Sequence, residues 1–94
     1  MSFEDYQRIS NLLVVNLRAH ERRTDQGMTE PELITDYLEQ EHIEDRAELV
    51  HLSRLLRQII QRLIEKDGIL IVTNQSEDPQ ERVLRTNADY DPYN

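Results

Sequence analysis

The residues to test first for chemistry are the three histidines, His20, His42 and His51. None stands at i,i+4 to another, and no His-x-x-Glu-His or comparable ligand spacing occurs, so no metal site is expected. There are no cysteines, which removes thiolate zinc sites, thiol catalysis and disulfide scaffolds. Asp and Glu total 19, but paired carboxylates do acid–base work only where a pocket tunes them. Here they concentrate in the least hydrophobic part of the chain. No Gly-rich phosphate loop occurs, and 94 residues are too few for an ATPase or a dinucleotide fold. The sequence therefore predicts no catalytic residue and no cofactor site.

Binding is the chemistry that remains, and the charges show where. Of the formal net charge of −8, residues 24–49 supply all of it: nine acids (Asp25, Glu30, Glu32, Asp36, Glu39, Glu41, Glu44, Asp45, Glu48) stand against Arg46 alone. Such a surface steers basic partners and repels phosphate backbones. The bland alternative is a solvated acidic face that only solubilises a helix and a loop. A second candidate surface carries Arg54, Arg57, Gln58 and Gln61 on one helical face, and Arg and Gln are types that read base edges. Glu77, Asp78 and Glu81 lie in a loop that would have to approach the same phosphates. DNA affinity rests on neutralising phosphate, so at most weak nucleic-acid binding is expected.

The elements that position these residues follow from periodicity. Ser2 with Asp5 starts a first helix, about 2–22, with Tyr6, Ile9, Leu12, Leu13 and Leu17 on one face and Val14 and Val15 widening it. Residues 22–27 read as a linker. Thr29, Pro31 and Glu32 open a second helix, about 29–42, which frays into the acids from Glu39 to Asp45. Asp45 with Glu48 caps a third, about 46–67, whose Leu52, Leu55, Leu56, Ile59, Ile60, Leu63 and Ile64 make one buried stripe. Gly68 suits the left-handed position after it. The period then changes: Ile69–Val72 and Arg82–Thr86 read as two antiparallel strands of a wing, about 69–86, joined by a mobile polar loop, Thr73–Gln80. The fold class is mainly α with a β-hairpin: a single winged-helix domain over 1–94, a helix-turn-helix variant of three helices and a two-stranded wing. A three-helix bundle with a floppy tail is the alternative. In the tail 87–94, Tyr90 is expected to pack back on the core, with a recognition peptide as the other reading. No apolar run nears the roughly 20 residues that span a bilayer, so no membrane contact is expected.

Beyond periodicity, Phe3-Glu4-Asp5-Tyr6 followed by Arg8-Ile9-Ser10-Asn11-Leu12 resembles the opening of the C-terminal winged-helix domain of subunit six of the eukaryotic minichromosome maintenance (MCM) replicative helicase. Ile59-Ile60-Gln61-Arg62-Leu63 and Asp67-Gly68-Ile69-Leu70-Ile71 are similar to that family's third helix running into its first wing strand, and Val83-Leu84 with Asn87-Ala88-Asp89-Tyr90 to its closing strand and tail. Arg46 and Ala88 depart from the family pattern. The resemblance implies a nuclear, non-enzymatic module beyond an ATPase module in a longer subunit, so the chain's start is expected to be an internal boundary. It implies contact with other MCM subunits and, as principal partner, a Cdt-type licensing factor presenting a basic amphipathic helix. The family's contact residues map onto Glu41, Glu44, Asp45, Glu48 and Leu49, with Leu49 as apolar anchor. The domain alone is expected to be monomeric. The rival readings are a DNA-binding winged helix and an intramolecular regulator of the helicase ATPase.

Overall fold

Each helix begins at a side chain that accepts from its own first turn. In the structure, a computed structural model that describes residues 2–89, Ser2 Oγ accepts the Asp5 amide at 3.1 Å and starts α1, Phe3–Thr24. Thr29 and Glu32 form a reciprocal capping box, with Pro31 in the first turn, and start α2, Glu30–Gln40. Asp45 Oδ1 accepts the Ala47 and Glu48 amides at 2.8 and 3.4 Å and starts α3, Arg46–Glu65. These caps satisfy amides that have no partner inside the helix. α1 ends at Asp25, whose φ of 57° is left-handed. After α3, Gly68 takes φ 64° and the Ile69 amide reaches back to the Leu63 carbonyl, turning the chain into a strand.

The sheet has three strands rather than the expected two. Met28–Thr29 (β1) precedes α2, and Leu70–Val72 (β2) and Val83–Thr86 (β3) form the wing, in the antiparallel order β1-β3-β2. Met28 pairs with Leu84 and Thr29 with Val83, while Leu70 pairs with Thr86 and Val72 with Leu84. The added strand follows directly on the stretch read as a linker, 22–27, whose first three residues belong to the last turn of α1. α1 also runs two residues further than expected, and α2 and α3 each stop two residues short of it.

Leu13 and Leu17 of α1, Leu33 of α2 and Leu56, Ile60 and Leu63 of α3 are fully buried, and Leu70 and Leu84 close the core from the sheet. Val15, expected to widen the α1 face inward, is 41% exposed, because Val14 already occupies the inner edge of the stripe.

Two polar ties join distant parts of the chain. The Glu21 carboxylate accepts the Thr86 amide at 2.7 Å and the Thr86 hydroxyl at 2.8 Å, fixing β3 to α1. The Tyr6 hydroxyl donates to Asp67 Oδ2 at 2.7 Å, and the Arg62 guanidinium lies 4.9 Å from the Tyr6 ring centre, a cation–π distance. Burial, then the bond to Asp67, raises the Tyr6 pKa. The wing loop is mostly exposed, as expected, and carries hydrogen bonds of its own. Asn74 accepts the Val83 amide and donates to the Glu81 carbonyl, and Asp78 accepts the Gln80 amide. The expected packing of Tyr90 lies outside the described residues.

The two glycines differ in what they permit. A Cβ on Gly27 would fall on the Leu84 carbonyl oxygen and within 2.9 Å of Val83 and Arg85 side-chain carbons, whereas one on Gly68 meets nothing within 4 Å. Gly68→Ala is expected to cost about 1–2 kcal/mol, the left-handed penalty alone. Gly27→Ala must move backbone and is expected to cost more, about 3 kcal/mol at the upper end of overpacking. Urea unfolding of both variants checks the order; equal losses would mean that β1 and β3 do not meet closely at Gly27.

A candidate docking surface at the α2–α3 junction

The acidic residues of 39–48 are displayed by a tight reversal, not by a frayed helix. The Glu41 amide donates to the Tyr37 carbonyl, His42 to Glu39 and Ile43 to Leu38, at 3.1, 3.2 and 3.3 Å. His42 adopts φ 54°. This is the Schellman arrangement, with His42 in the left-handed position that glycine usually fills and half-buried Ile43 returning over Leu38. Three residues later Asp45 starts α3. Glu41, Glu44 and Glu48 are consequently held outward and exposed. Asp45 is also exposed, but its carboxylate is engaged with the first amides of α3, so its charge serves the helix terminus as well as the surface. Buried Tyr37 lies beneath the junction; burial, then the neighbouring Glu41 carboxylate, raises its pKa against an opposing Arg8.

Leu49, the expected apolar anchor, is half-buried. Its neighbour Val50 is 57% exposed, and sequence reading missed it. The signal was present: Val50 shares the outer α3 face with Arg54, Arg57 and Gln61 at helical spacing, so it is an apolar residue on a polar face. Leu49 and Val50 line a shallow cavity of about 220 Å³ together with Ser53, Arg54 and Arg57. Ser53 and Arg57 also line an adjacent cavity of about 530 Å³, walled by Pro31, Ile34 and Leu38 of α2 and by Pro79 of the wing loop. The two form one groove along the outer face of α3.

Arg54, Arg57 and Gln58 are exposed on this face, as expected. The wing loop lines the same groove, however, and brings Asp78 with it, which places a carboxylate where a phosphate would have to approach. Among the described residues no cluster of three or more His, Cys, Asp or Glu could hold a metal ion, and His20 faces Arg23 rather than another histidine. The arrangement offers carboxylates, an open groove and a few apolar contacts, which suits recognition of a cationic amphipathic segment.

Glu30 at the α2 end of the groove was read only as part of the charge run. Burial raises its pKa, opposed by Arg57 and Arg82. A carboxylate whose folded pKa lies above its unfolded value binds its proton more tightly when folded. Stability linked to Glu30 therefore rises as pH falls through the folded pKa and is withheld above it. Glu30→Gln is expected to be at least as stable as the parent at pH 7, and its advantage should vanish as pH falls through the carboxylate range. Thermal unfolding at a series of pH values checks this; an advantage that grows on acidification would contradict it.

The whole chain bears comparison with known proteins. Residues 1–93 match the family described as the MCM6 C-terminal winged-helix domain. The DNA replication licensing factor Mcm6 of Drosophila pseudoobscura pseudoobscura is 38% identical over 78 residues, covering 76% of this chain and 10% of that protein. The maternal DNA replication licensing factor mcm6 of Xenopus tropicalis is 40% identical over 80 residues, 82% of this chain and 10% of that protein. MCM6 of Oryza sativa subsp. indica is 31% identical over 108 residues, covering 93% and 13%. The chain thus spans about a tenth of the length of these relatives. Its three helices, its antiparallel sheet and the match over almost every residue agree, and the chain belongs to the MCM6 C-terminal winged-helix domain family.

Proposed function

We propose that this domain is a docking module of a replicative MCM helicase subunit in the nucleus, without catalytic activity of its own, and that it receives a basic amphipathic helix from a Cdt-type licensing factor at the α2–α3 junction. The observation that carries this reading is the juxtaposition of outward-held Glu41, Glu44 and Glu48 with half-buried Leu49 and exposed Val50. Exposed ion pairs contribute only about 0–1 kcal/mol each, so the carboxylates set encounter rate and register while the apolar pair supplies the anchor. The relatives are named as DNA replication licensing factors, which supports looking for the partner among proteins of that process. Other subunits of the helicase are the further partners of the parent protein. The acidic wing beside Arg54 and Arg57 argues for protein over duplex DNA as ligand.

Surface kinetics with the C-terminal region of the licensing factor tests the reading. Leu49→Ala and Val50→Ala are each expected to weaken binding by roughly 1–3 kcal/mol, as anchor residues do. Reversal of Glu41 and Glu44 to Lys should mainly slow association and reduce its salt dependence. Asp45 is unsuitable for reversal, because losing its cap alone costs about 1 kcal/mol of helix stability. In parallel, duplex DNA should bind no better than about 10⁻⁴ M at physiological salt. Wild-type affinity in both apolar variants, or micromolar DNA binding lost in Arg54→Ala, would overturn the assignment.

A further inference from the structure

A second, oppositely charged surface lies where the end of α1 meets the wing strands. A cavity of about 490 Å³ there is lined by Arg18 and Arg22 of α1, by Ile71 of β2 and by Arg85 and Thr86 of β3. Arg18 and Arg22 are one turn apart on one face of α1, and exposed Val15 lies one turn before them on that face. Ile71 is 43% exposed and pairs across the ladder with Arg85, so the two side chains stand on the same face of the sheet. Glu21 also lines the cavity, but both its oxygens are occupied by the Thr86 amide and hydroxyl. Arg85 Nη1 donates to the Asp25 carbonyl oxygen at 3.3 Å, and its other terminal nitrogen contacts the Asp25 carboxylate only loosely, at 3.8 Å, with the Asp25 side chain fully solvent-exposed. That contact can be exchanged for another carboxylate without unburying anything.

We infer that this groove is a docking site for an acidic segment of a protein partner, one that flanks an apolar side chain with carboxylates. Arginine guanidinium groups grip carboxylates bidentately, and Ile71 gives the apolar side chain a floor between them. A nucleic-acid backbone is the other anionic candidate. It is disfavoured because duplex would have to extend along the hairpin towards Glu77, Asp78 and Glu81, in a chain of net charge −8. A short peptide needs only the local patch. This inference is independent of the junction proposed above, since it uses different residues and the opposite charge.

The test is an NMR titration of the full 94-residue chain with the blocked peptide Asp-Glu-Leu-Glu-Asp, with its amide twin Asn-Gln-Leu-Gln-Asn, and with a short DNA duplex. The acidic peptide is expected to shift the amides of Arg18, Arg22, Ile71 and Arg85 saturably, with a dissociation constant below about 1 mM at low salt. Arg22→Gln combined with Arg85→Gln should weaken this roughly fivefold, the loss of two exposed ion pairs, with the amide spectrum otherwise native. Ile71→Thr, which keeps a β-branched residue in the strand, should weaken it while leaving its salt dependence intact. An absence of saturation, equal binding by the amide twin, shifts centred on the α2–α3 junction, or a stronger response of the same amides to DNA would each overturn the inference.

Discussion

The placement of β3 is the constraint on which the rest of this domain depends. The strand hydrogen-bonds on one side to β1, which lies between α1 and α2, and on the other to β2, which follows α3. It is also held to α1 through the two bonds between Glu21 and Thr86. One four-residue strand therefore connects every helix to the sheet. Buried Leu84 lies opposite Met28 on one side and Val72 on the other, so a register slip would turn it from the core to solvent. The price is a close approach at Gly27, where any side chain would collide with the β3 backbone. The same strand fixes the base of the wing loop, and so the distance between the loop's carboxylates and α3.

That geometry accounts for why this winged-helix chain displays exposed carboxylates at its α2–α3 turn. The α2–α3 turn is short because His42 accepts a left-handed backbone and Asp45 immediately caps the next helix. Residues between two such fixed points cannot fold back onto the core, so Glu41 and Glu44 must face water. With Glu39, Glu41, Glu44, Asp45 and Glu48 against Arg46 alone over residues 39–48, the field at this turn is negative whatever the individual rotamers do. A field of that sign attracts cationic groups over long range, whereas exposed ion pairs alone contribute little affinity.

Features encoded locally were legible in the sequence. Ser2, the Thr29–Glu32 box and Asp45 are cap residues whose effect is confined to one turn, and all three start helices as read. The Leu56–Ile60–Leu63 stripe is fully buried, as its period requires. What escaped the reading is set by distant residues. Met28 and Thr29 form a strand only because Leu84 and Val83 come to lie beside them, and two residues carry no periodicity of their own. His42 takes its glycine-like conformation where the His42 amide donates to the Glu39 carbonyl and the Ile43 amide to the Leu38 carbonyl, which nothing in histidine itself announces. At the candidate site, the acidic run was legible and Val50 could have been read as an apolar residue on a polar helix face, whereas the burial of Glu30 and the wing loop's share in the groove needed the tertiary arrangement.

The domain's few exposed large apolar residues are better understood by their neighbours than by their number. Val50 lines a hollow with Leu49, Ser53, Arg54 and Arg57, and Ile71 lines one with Arg18, Arg22 and Arg85. Phe3, 74% exposed at the start of α1, lines none of the cavities described here and has only Glu4 and Asp5 next to it in sequence, so it has the area of an anchor without a surrounding shape. A single exposed apolar side chain is ordinary on any protein surface. It becomes an anchor when adjacent charges can select a partner and an adjacent hollow can exclude water around the contact. Val50 and Ile71 each have a hollow and charged neighbours, and what separates the two places is the run of carboxylates at the α2–α3 turn that precedes Val50 in the chain.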